Sequence, residues 1–507
     1  MQHLSTIDAA FLHLETPETP MHVGSLMLLD LPKGWRGDFY DDVKAMIAER
    51  MHLVTLLRRK LLTMPFDLAD PVWVDDDDVD LDYHVRSVTL RKPGSMAQLE
   101  ALVARLHSSL LDRSRPLWEI YVIDGLQSGQ IAYYTKAHHS GIDGKAGVEL
   151  VKVLYDMEPT GRKIPPPRRA AHDAWDDAGM AELLKAAVAN AARQYLKSVK
   201  QLPTMVRGLA SAARIVAKRR GQRGQRSLEL GWAPRTAWNV SITNQRSFGT
   251  MSLPLADIKA LGRRVGGTVN TIVMAMCASA LRRWFEQHHE LPEKGMIAAV
   301  PVSLRSADDS AMNNQVSMIR VDLATEIADP QQRFRAIHAS SEAAKAVVSE
   351  LKPVLGVDLP FTASPWLMSG LASLIGRIDL VRRLPAPANV VISNVPGLPV
   401  HQYLAGARMR HFYPVSIPYH GAAVNITVQS YAGQLEFGIT ACRRVLPQAA
   451  SHELIGCLRD ALAEIETFDT VAETAAETAA DTAADTAAPA ARKSAAKRRA
   501  AARAAVA

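Results

Sequence analysis

Two adjacent histidines are the residues of this sequence best suited to chemistry. His138 and His139 open the pattern His-His-x-x-x-Asp-Gly, which closes with Asp143 and Gly144 and follows an apolar run that predicts a β-strand. A neutral imidazole is the natural general base for an alcohol near pH 7. Adjacent side chains on an extended chain point to opposite faces. We therefore expect one histidine to face the reactants and the other to pack or hydrogen-bond behind it.

Other chemistries have weaker support. A zinc site would need further ligands at the usual spacing, and the sequence does not offer them. The acidic run 75–78 lacks the spacing of an EF-hand, which favours a solvated turn over a calcium site. The sequence contains no G-x-S-x-G, P-loop or G-x-G-x-x-G pattern, so serine hydrolases and nucleotide-dependent enzymes are disfavoured. We predict no metal and no bound cofactor.

The elements around the histidines alternate between strand and helix, which predicts an α/β protein. β-branched and aromatic runs predict strands at 120–122, 131–135, 316–321, 390–392, 425–431 and 435–440. Helical periodicity predicts helices at 98–109, 255–265, 271–287, 330–349 and 447–465.

A strongly basic segment divides the chain. Residues 181–226 hold eleven lysines and arginines against one glutamate, while the whole chain has a net charge of +7, so the remainder is net negative. Several of the basic residues share one face of a predicted amphipathic helix, which is typical of membrane-surface elements. A solvated helix joining two domains is an equal alternative. Nucleic-acid binding is disfavoured, because Tyr195 is the only aromatic residue among these cations.

Composition predicts four parts: an N-terminal lobe at 1–180, the basic linker at 181–228, a C-terminal lobe at 229–468, and a tail at 469–507. The tail repeats Ala-Glu-Thr-Ala and Ala-Asp-Thr-Ala and has no large apolar face, so we expect a flexible appendage. Three scattered cysteines favour a reducing compartment. We see no secretory signal and no uninterrupted membrane-spanning stretch.

The histidine pattern resembles the active-site motif of the CoA-dependent acyltransferase superfamily. An ordered set of further motifs resembles one family within it, the bacterial wax ester synthase/diacylglycerol acyltransferase family. The matching stretches are 4–11, 21–24, 71–75, 84–86, 115–119, 138–144, 301–305, 393–397 and 425–427. In one departure, Asn270 is followed by Thr271 where the family has aspartate.

The resemblance implies a fold and a set of roles. It implies two chloramphenicol-acetyltransferase-like α/β (α+β) lobes with the active site in a tunnel between them. It implies that His139 is the general base, that His138 supports it, and that Asp143, beside Gly144, pairs with Arg305 to shape the loop. A covalent acyl-enzyme is not needed.

Four further residues are expected near the site. Asn270, Asn394 and Gly397 are expected to bind substrate or to hold the interface between the lobes. Trp118 is expected to be a packing anchor beneath the site rather than a substrate contact.

The favoured function is transfer of a long-chain acyl group from acyl-CoA to diacylglycerol, which gives triacylglycerol. The alternatives are wax ester synthesis from a long-chain fatty alcohol, acylation of a sugar lipid or a carrier-bound acceptor, and a non-catalytic lipid-droplet or membrane-surface protein on the same fold. We expect a cytoplasmic protein associated with the inner face of the membrane or with lipid droplets through residues 181–226. Its oligomeric state is left open.

Overall fold

Two six-stranded β-sheets organise the described part of the protein, the first formed mainly by the N-terminal half of the chain and the second by the C-terminal half. The computed structural model describes residues 2–63, 70–142, 150–166, 231–303, 316–355, 381 and 384–469. Strands and helices alternate along these segments, which confirms the predicted α/β class.

The strands are β1 (Gln2–His3), β2 (His22–Asp30), β3 (Arg59–Leu62), β4 (Val72–Asp75), β5 (Val85–Thr89), β6 (Trp118–Asp124), β7 (Ile131–His138), β8 (Arg246–Pro254), β9 (Ile297–Ser303), β10 (Val316–Asp322), β11 (Val390–Val395), β12 (Tyr403–Leu404), β13 (Ala407–Val415), β14 (Val424–Tyr431) and β15 (Gln434–Cys442). The helices are α1 (Thr6–Leu14), α2 (Phe39–Arg50), α3 (Thr55–Arg58), α4 (Leu81–His84), α5 (Met96–His107), α6 (Leu255–Arg264), α7 (Val269–His288), α8 (Pro330–Leu355) and α9 (Gln448–Glu466).

The first sheet places the histidines at the end of a central strand. Its order is β12-β13-β2-β7-β6-β5, with β5 and β6 parallel and the other pairs antiparallel. In register, His138 of β7 lies opposite His22 of β2, and Ala137 lies opposite Trp118 of β6. The carboxyl end of β7 is therefore held between two paired neighbours.

A small sheet in the order β1-β4-β3 packs beside α1. Leu12 of α1 shares a core cluster with Leu61 of β3, Trp73 of β4 and Leu117. This cluster fixes α1 next to the start of β6, on the approach to the histidines.

The second sheet has the order β10-β9-β11-β14-β15-β8, with β9, β11 and β14 mutually parallel. Ile426 and Val428 of β14 pack in one large core with residues of α6, α7, α8 and α9. The innermost helix, α7, begins with a reciprocal cap in which Thr268 and Thr271 each bind the other's backbone N–H. These helices cover one face of the sheet.

Strand β13 belongs by sequence to the second half but completes the first sheet. It pairs with β2, so that Phe412 lies opposite Met27. The two sheets approach closely at this point, because a Cβ at Gly438 of β15 would lie 1.7 Å from the carbonyl oxygen of Pro414. The predicted division into two lobes, with the linker at 181–228 between them, did not anticipate that a strand of the C-terminal lobe joins the sheet of the N-terminal lobe.

The predicted helices correspond to α5–α9, and the predicted strands to β6, β7, β10, β11, β14 and β15. Strand β7 continues three residues beyond the predicted 131–135. These last residues include Lys136 and His138, whose polarity is typical of the end of a strand. In the structure both side chains are buried against polar groups, so the strand continues through them.

Within the described ranges, no single helix has the length and apolar composition needed to cross a bilayer. Helices α6 and α7 meet that criterion only as a pair bent by 92°. Thirteen residues of α7 are buried inside the protein.

Candidate active site

The backbone of the two histidines is fixed on both sides of β7. The N–H of His138 donates to the carbonyl oxygen of Leu117 at 3.0 Å, and the N–H of His139 donates to that of Met21 at 2.8 Å. The chain then turns, and Gly141 N–H donates to the carbonyl oxygen of His138 at 3.0 Å. The pair is thus clamped between the segments that lead into β2 and β6.

His139 lies in an apolar setting. Its ring stacks on Phe11 of α1, with 4.0 Å between the ring centroids and 16° between the ring planes. Its Nδ1 atom is buried and makes no hydrogen bond within the described residues. Burial lowers the pKa of His139 to about 4, with a contribution from its own backbone that raises it and one from His138 that lowers it further. The ring is therefore neutral at pH 7, as a general base must be.

His138 has entirely different neighbours, which confirms that the two side chains point apart. It is fully buried, and its Nδ1 atom accepts the N–H of Ser140 at 3.1 Å and lies 2.7 Å from the Ser140 hydroxyl. Its Nε2 atom lies 3.2 Å from Oε2 of Glu15. This ring faces a charged cluster, not an open space.

Glu15 is the anion of that cluster. Its Oε1 atom accepts two hydrogen bonds from Arg113, at 3.1 Å from Nε and 2.8 Å from Nη2, and its Oε2 atom accepts the N–H of Met21 at 3.0 Å. Burial alone would raise the pKa of Glu15, but His138, Arg113 and the Met21 N–H outweigh it and lower the pKa to about 2. The Glu15 carboxylate is therefore ionised at every pH well above 2.

Trp118 is buried below the histidines. Its indole N–H donates to the carbonyl oxygen of Leu57 at 3.2 Å, and its ring stacks on His84 at a centroid distance of 4.3 Å. The His84 Nδ1 atom lies 2.7 Å from the Trp118 carbonyl oxygen. Every one of these contacts is internal to the first lobe.

Asn270 lies in the first turn of α7, and its neighbour Thr271 is the residue that departs from the family. Thr271 is buried, its side chain caps the helix with Thr268, and its hydroxyl lies 3.3 Å from Nδ1 of His338. The departure therefore falls at a helix-capping position, which a threonine hydroxyl fills.

Asn394 and Gly397 lie at the end of β11. Side chains alternate along a strand, so Asn394 lies on the same face as Ile392, which packs in the core beneath the helices. Gly397 lies against β14, where its N–H donates to the Ser430 hydroxyl at 3.0 Å and a Cβ would lie 2.0 Å from the Ser430 carbonyl oxygen. Close packing of two chain segments accounts for this glycine. Contact with His139 is shown for neither residue.

Three predicted site residues, Asp143, Gly144 and Arg305, lie outside the described residues, as do the basic linker 181–226 and the tail from 470. Their roles stay predictions.

Two members of the acidic run at 75–78 have cationic neighbours. Asp75 pairs with Arg59 and Asp76 with Lys60, each at 3.1 Å. In the described part of the chain no three His, Cys, Asp or Glu side chains are grouped so as to hold a metal ion.

The structure has a cavity of about 630 Å³ between the lobes, but it is not at the histidines. Gln130, which precedes β7, and Leu28, which pairs with Ala132, line it together with Tyr413 and Arg459. At roughly 3.3 Å per strand residue, it lies about 25 Å from His139. The expected tunnel around His139 is not outlined by the described residues.

Sequence reasoning assigned no role to Phe11, Glu15 or Arg113. Phe11 and Glu15 are four residues apart, one helical turn, which is the spacing that could have grouped them on one side of α1. Arg113 follows Glu15 by 98 residues, and no local pattern connects residues so far apart.

Comparison with known proteins identifies the family. The family model described as the wax ester synthase/diacylglycerol acyltransferase catalytic domain matches residues 4–273, and the WS/DGAT C-terminal domain model matches residues 312–466. A putative diacylglycerol O-acyltransferase of Mycobacterium tuberculosis H37Rv is 37% identical over 91% of this chain and 99% of that protein. A probable diacylglycerol O-acyltransferase of the same strain is 34% identical over 90% and 97%.

Solved structures give the same result. The wax ester synthase/diacylglycerol acyltransferase of Marinobacter aquaeolei VT8 is 31% identical, covers 91% of this chain and 98% of its own, and has a TM-score of 0.64. The first condensation domain of the calcium-dependent antibiotic synthetase, 15% identical over 93% and 97% with a TM-score of 0.55, shares the fold. This confirms the predicted chloramphenicol-acetyltransferase-like class. The chain belongs to the wax ester synthase/diacylglycerol acyltransferase family and is an acyltransferase.

Proposed function

We propose that this protein transfers a long-chain fatty acyl group from acyl-CoA to the free hydroxyl of diacylglycerol, forming triacylglycerol, with His139 as general base. The observation that carries the proposal is the setting of His139, a neutral, stacked imidazole whose backbone is anchored at the end of β7. The names of the mycobacterial relatives support diacylglycerol as the acceptor.

The reaction requires one proton to move twice. His139 takes the proton of the acceptor hydroxyl as its oxygen attacks the thioester carbon. The tetrahedral intermediate then collapses, the carbon–sulfur bond breaks, and the histidinium returns the proton to the CoA thiolate. General-base catalysis of this kind contributes about 10²–10⁴ in rate.

No covalent acyl-enzyme is part of the proposal. The three cysteines, Cys277, Cys442 and Cys457, are all buried, and burial raises the pKa of the Cys277 thiol to about 12. A thiol in such a setting is a poor nucleophile. We also propose that acyl-CoA is the co-substrate and that no further cofactor takes part.

The direct test supplies labelled palmitoyl-CoA with either diacylglycerol or hexadecanol and separates the lipid products. His139→Ala is expected to lose at least about 100-fold in kcat. The matched control is His288→Ala, an exposed histidine at the end of α7. Equal product from wild type and His139→Ala would overturn the assigned base, and a product only from hexadecanol would replace triacylglycerol by wax ester synthesis.

The pH profile provides a second test. A base with a pKa of about 4 is lost only as the pH falls through that value. We expect kcat/KM to be level from pH 7.5 to about 5, in assays shorter than acid unfolding. An acid limb centred near 6.5, the ordinary histidine pKa, would contradict the buried state of His139.

We further propose that residues 181–226 dock the protein on an anionic membrane or lipid-droplet surface, facing the cytoplasm. The charge of that segment and the poor water solubility of the acceptor support this. Replacing Arg193, Lys197, Lys200 and Arg207 by glutamine is expected to abolish pelleting with vesicles that contain anionic lipid. Unchanged pelleting would refute docking through this segment.

A further inference from the structure

Glu15 is a buried carboxylate beneath the two histidines. It is the residue that ends α1, and its side chain is only 4% exposed. Burying a charge costs free energy unless it is paired and hydrogen-bonded. The groups that hold it therefore indicate what it does.

Both oxygens of Glu15 are occupied. Arg113 donates two hydrogen bonds to Oε1, and its Nη2 atom also donates to the carbonyl oxygen of Leu12 at 2.7 Å. These bonds connect the end of α1 to the segment before β6. Oε2 accepts the N–H of Met21 and lies within ion-pair distance, 3.2 Å, of Nε2 of His138, which has no aligned hydrogen bond within the described residues. One carboxylate thus joins three separate stretches of chain.

The contacts of Glu15 select one tautomer of His138. The N–H of Ser140 donates to Nδ1 of this ring, so in the neutral imidazole the proton is on Nε2. Nε2 is the nitrogen that lies 3.2 Å from the Glu15 carboxylate. The anion therefore favours both the tautomer and the rotation of the His138 ring.

The same carboxylate is linked to His139 through one residue. Met21 donates its N–H to Glu15 and accepts the N–H of His139 on its carbonyl oxygen at 2.8 Å. One turn earlier on α1, Phe11 stacks on the His139 ring. A shift of Glu15 would move both the backbone and the stacking surface of His139.

We propose that Glu15, held by Arg113, is a positioning residue for acyl transfer. It holds the tautomer of His138 and, through Met21 and α1, the orientation of His139. It touches no substrate. The proposal rests on the proposed role of His139 as general base.

Glu15→Gln separates charge from shape. A glutamine has two orientations: with its oxygen on the Met21 N–H its NH₂ group faces the N–H donors of Arg113, and with its oxygen on Arg113 its NH₂ group faces the Met21 N–H and the Nε2–H of His138. We expect kcat to fall about 10- to 100-fold, the scale of a catalytic group displaced by up to 1 Å, while KM for both substrates changes less than about twofold. Glu49→Gln, at an exposed site on α2, is the matched control. Arg113→Lys, which keeps the charge but not the fork, should fall between wild type and Arg113→Gln.

A spectroscopic readout is independent of activity. In protein labelled with ¹⁵N-histidine, the His138 signals are expected to show the Nε2–H tautomer, and Glu15→Gln is expected to introduce the Nδ1–H form. His138→Asn, which removes the signals, assigns them. If Glu15→Gln does not fold, the same measurement on Arg113→Lys decides the question.

The outcomes distinguish this proposal from the function. Wild-type kcat and tautomer in Glu15→Gln would overturn it, as would a lower yield of folded protein with unchanged kcat per folded molecule. An inactive wild type would overturn the proposed function, whereas the tautomer would still be decided by the spectrum.

Discussion

Two largely buried elements, β7 in the first lobe and α7 in the second, differ in what they bury. In the first lobe, β7 buries Lys136 and His138 on one face, and Lys136 contacts Glu119 at 2.8 Å. In the second lobe, every residue from Thr271 to Leu281 of α7 is buried and none is charged. Charges are costly to bury and apolar groups are favourable. The comparison teaches that α7 is stabilised by apolar packing, whereas the burial of polar groups on β7 depends on partners that must all be in place.

On the polar face of β7, the Lys136 ammonium contacts three oxygen atoms. The Lys136 ammonium donates to the carbonyl oxygens of Leu106 and Ser109 at the end of α5, besides its contact with Glu119. Burial lowers the pKa of Lys136, and Glu119 opposes that shift. Lys136 thereby connects α5 to the strand that carries the histidines.

The largest effect is expected from Lys136→Met, which removes the buried cation of Glu119 and a donor to two carbonyl oxygens, and leaves Glu119 with the Tyr121 hydroxyl and the more distant Arg86. Breaking a buried ion pair costs about 3–5 kcal/mol. Urea unfolding measures the loss. The control is Lys60→Met, which removes a pair with Asp76 nearer the surface and should cost about 1 kcal/mol or less. Similar losses of unfolding free energy in Lys136→Met and Lys60→Met would contradict a special cost of unpairing charge on β7.

The next largest effect is expected in α7. Leu281→Ala removes a fully buried side chain and should lower the free energy of unfolding by about 2–5 kcal/mol. Because no charge is involved, the loss should be the same at pH 7 and pH 5, and kcat per folded molecule should stay within about twofold. A tenfold loss of kcat would show that α7 also positions the site.

Acid should weaken the first lobe before the second. Burial lowers the pKa of His107 to about 3, with Arg246 as a further cause, so the unfolded chain binds a proton there below about pH 6.5 that the folded protein binds only near pH 3. Stability from this group is therefore lost as the pH falls from 6.5 towards 3, at up to about 1.4 kcal/mol per pH unit. Hydrogen exchange should show β7 losing protection before α7, and His107→Gln should flatten the dependence. Simultaneous loss in both elements would mean that the lobes unfold as one unit.

The smallest effect is expected at the seam between the lobes. Glu100 of α5 accepts both the N–H and the hydroxyl of Thr250 in β8, and it lies 2.6 Å from Nε2 of His452 in α9. The His452 side chain is 39% exposed, so His452→Gln should cost only about 0.5–1 kcal/mol. Thermal unfolding measures it. A loss above about 2 kcal/mol would place the seam among the main sources of stability.

The sequence predicted elements better than contacts. Continuous apolar periodicity located α7 and the first part of β7, and the histidine pattern indicated the candidate site. The supports of that site were not predictable, because Glu15 meets His138 only after α1 folds against the start of β6. Partners 98 and 123 residues away in the chain leave no local pattern.

Strand β13 was missed for the same reason. Its sequence permits a strand, but nothing in it names β2 as the neighbour, and the predicted lobe 229–468 kept it with the second sheet. Pairing between strands this far apart is decided by the assembled fold, not by the residues of either strand.

The pairing of β13 with β2 also determines when the first sheet can be completed during synthesis. A ribosome releases β2 almost four hundred residues before β13, an interval on the order of twenty seconds to more than a minute at typical synthesis rates. Throughout that time the edge of β2 is unpaired, and such edges are prone to pair with other chains. The first lobe is therefore the first to be made and the last to be completed.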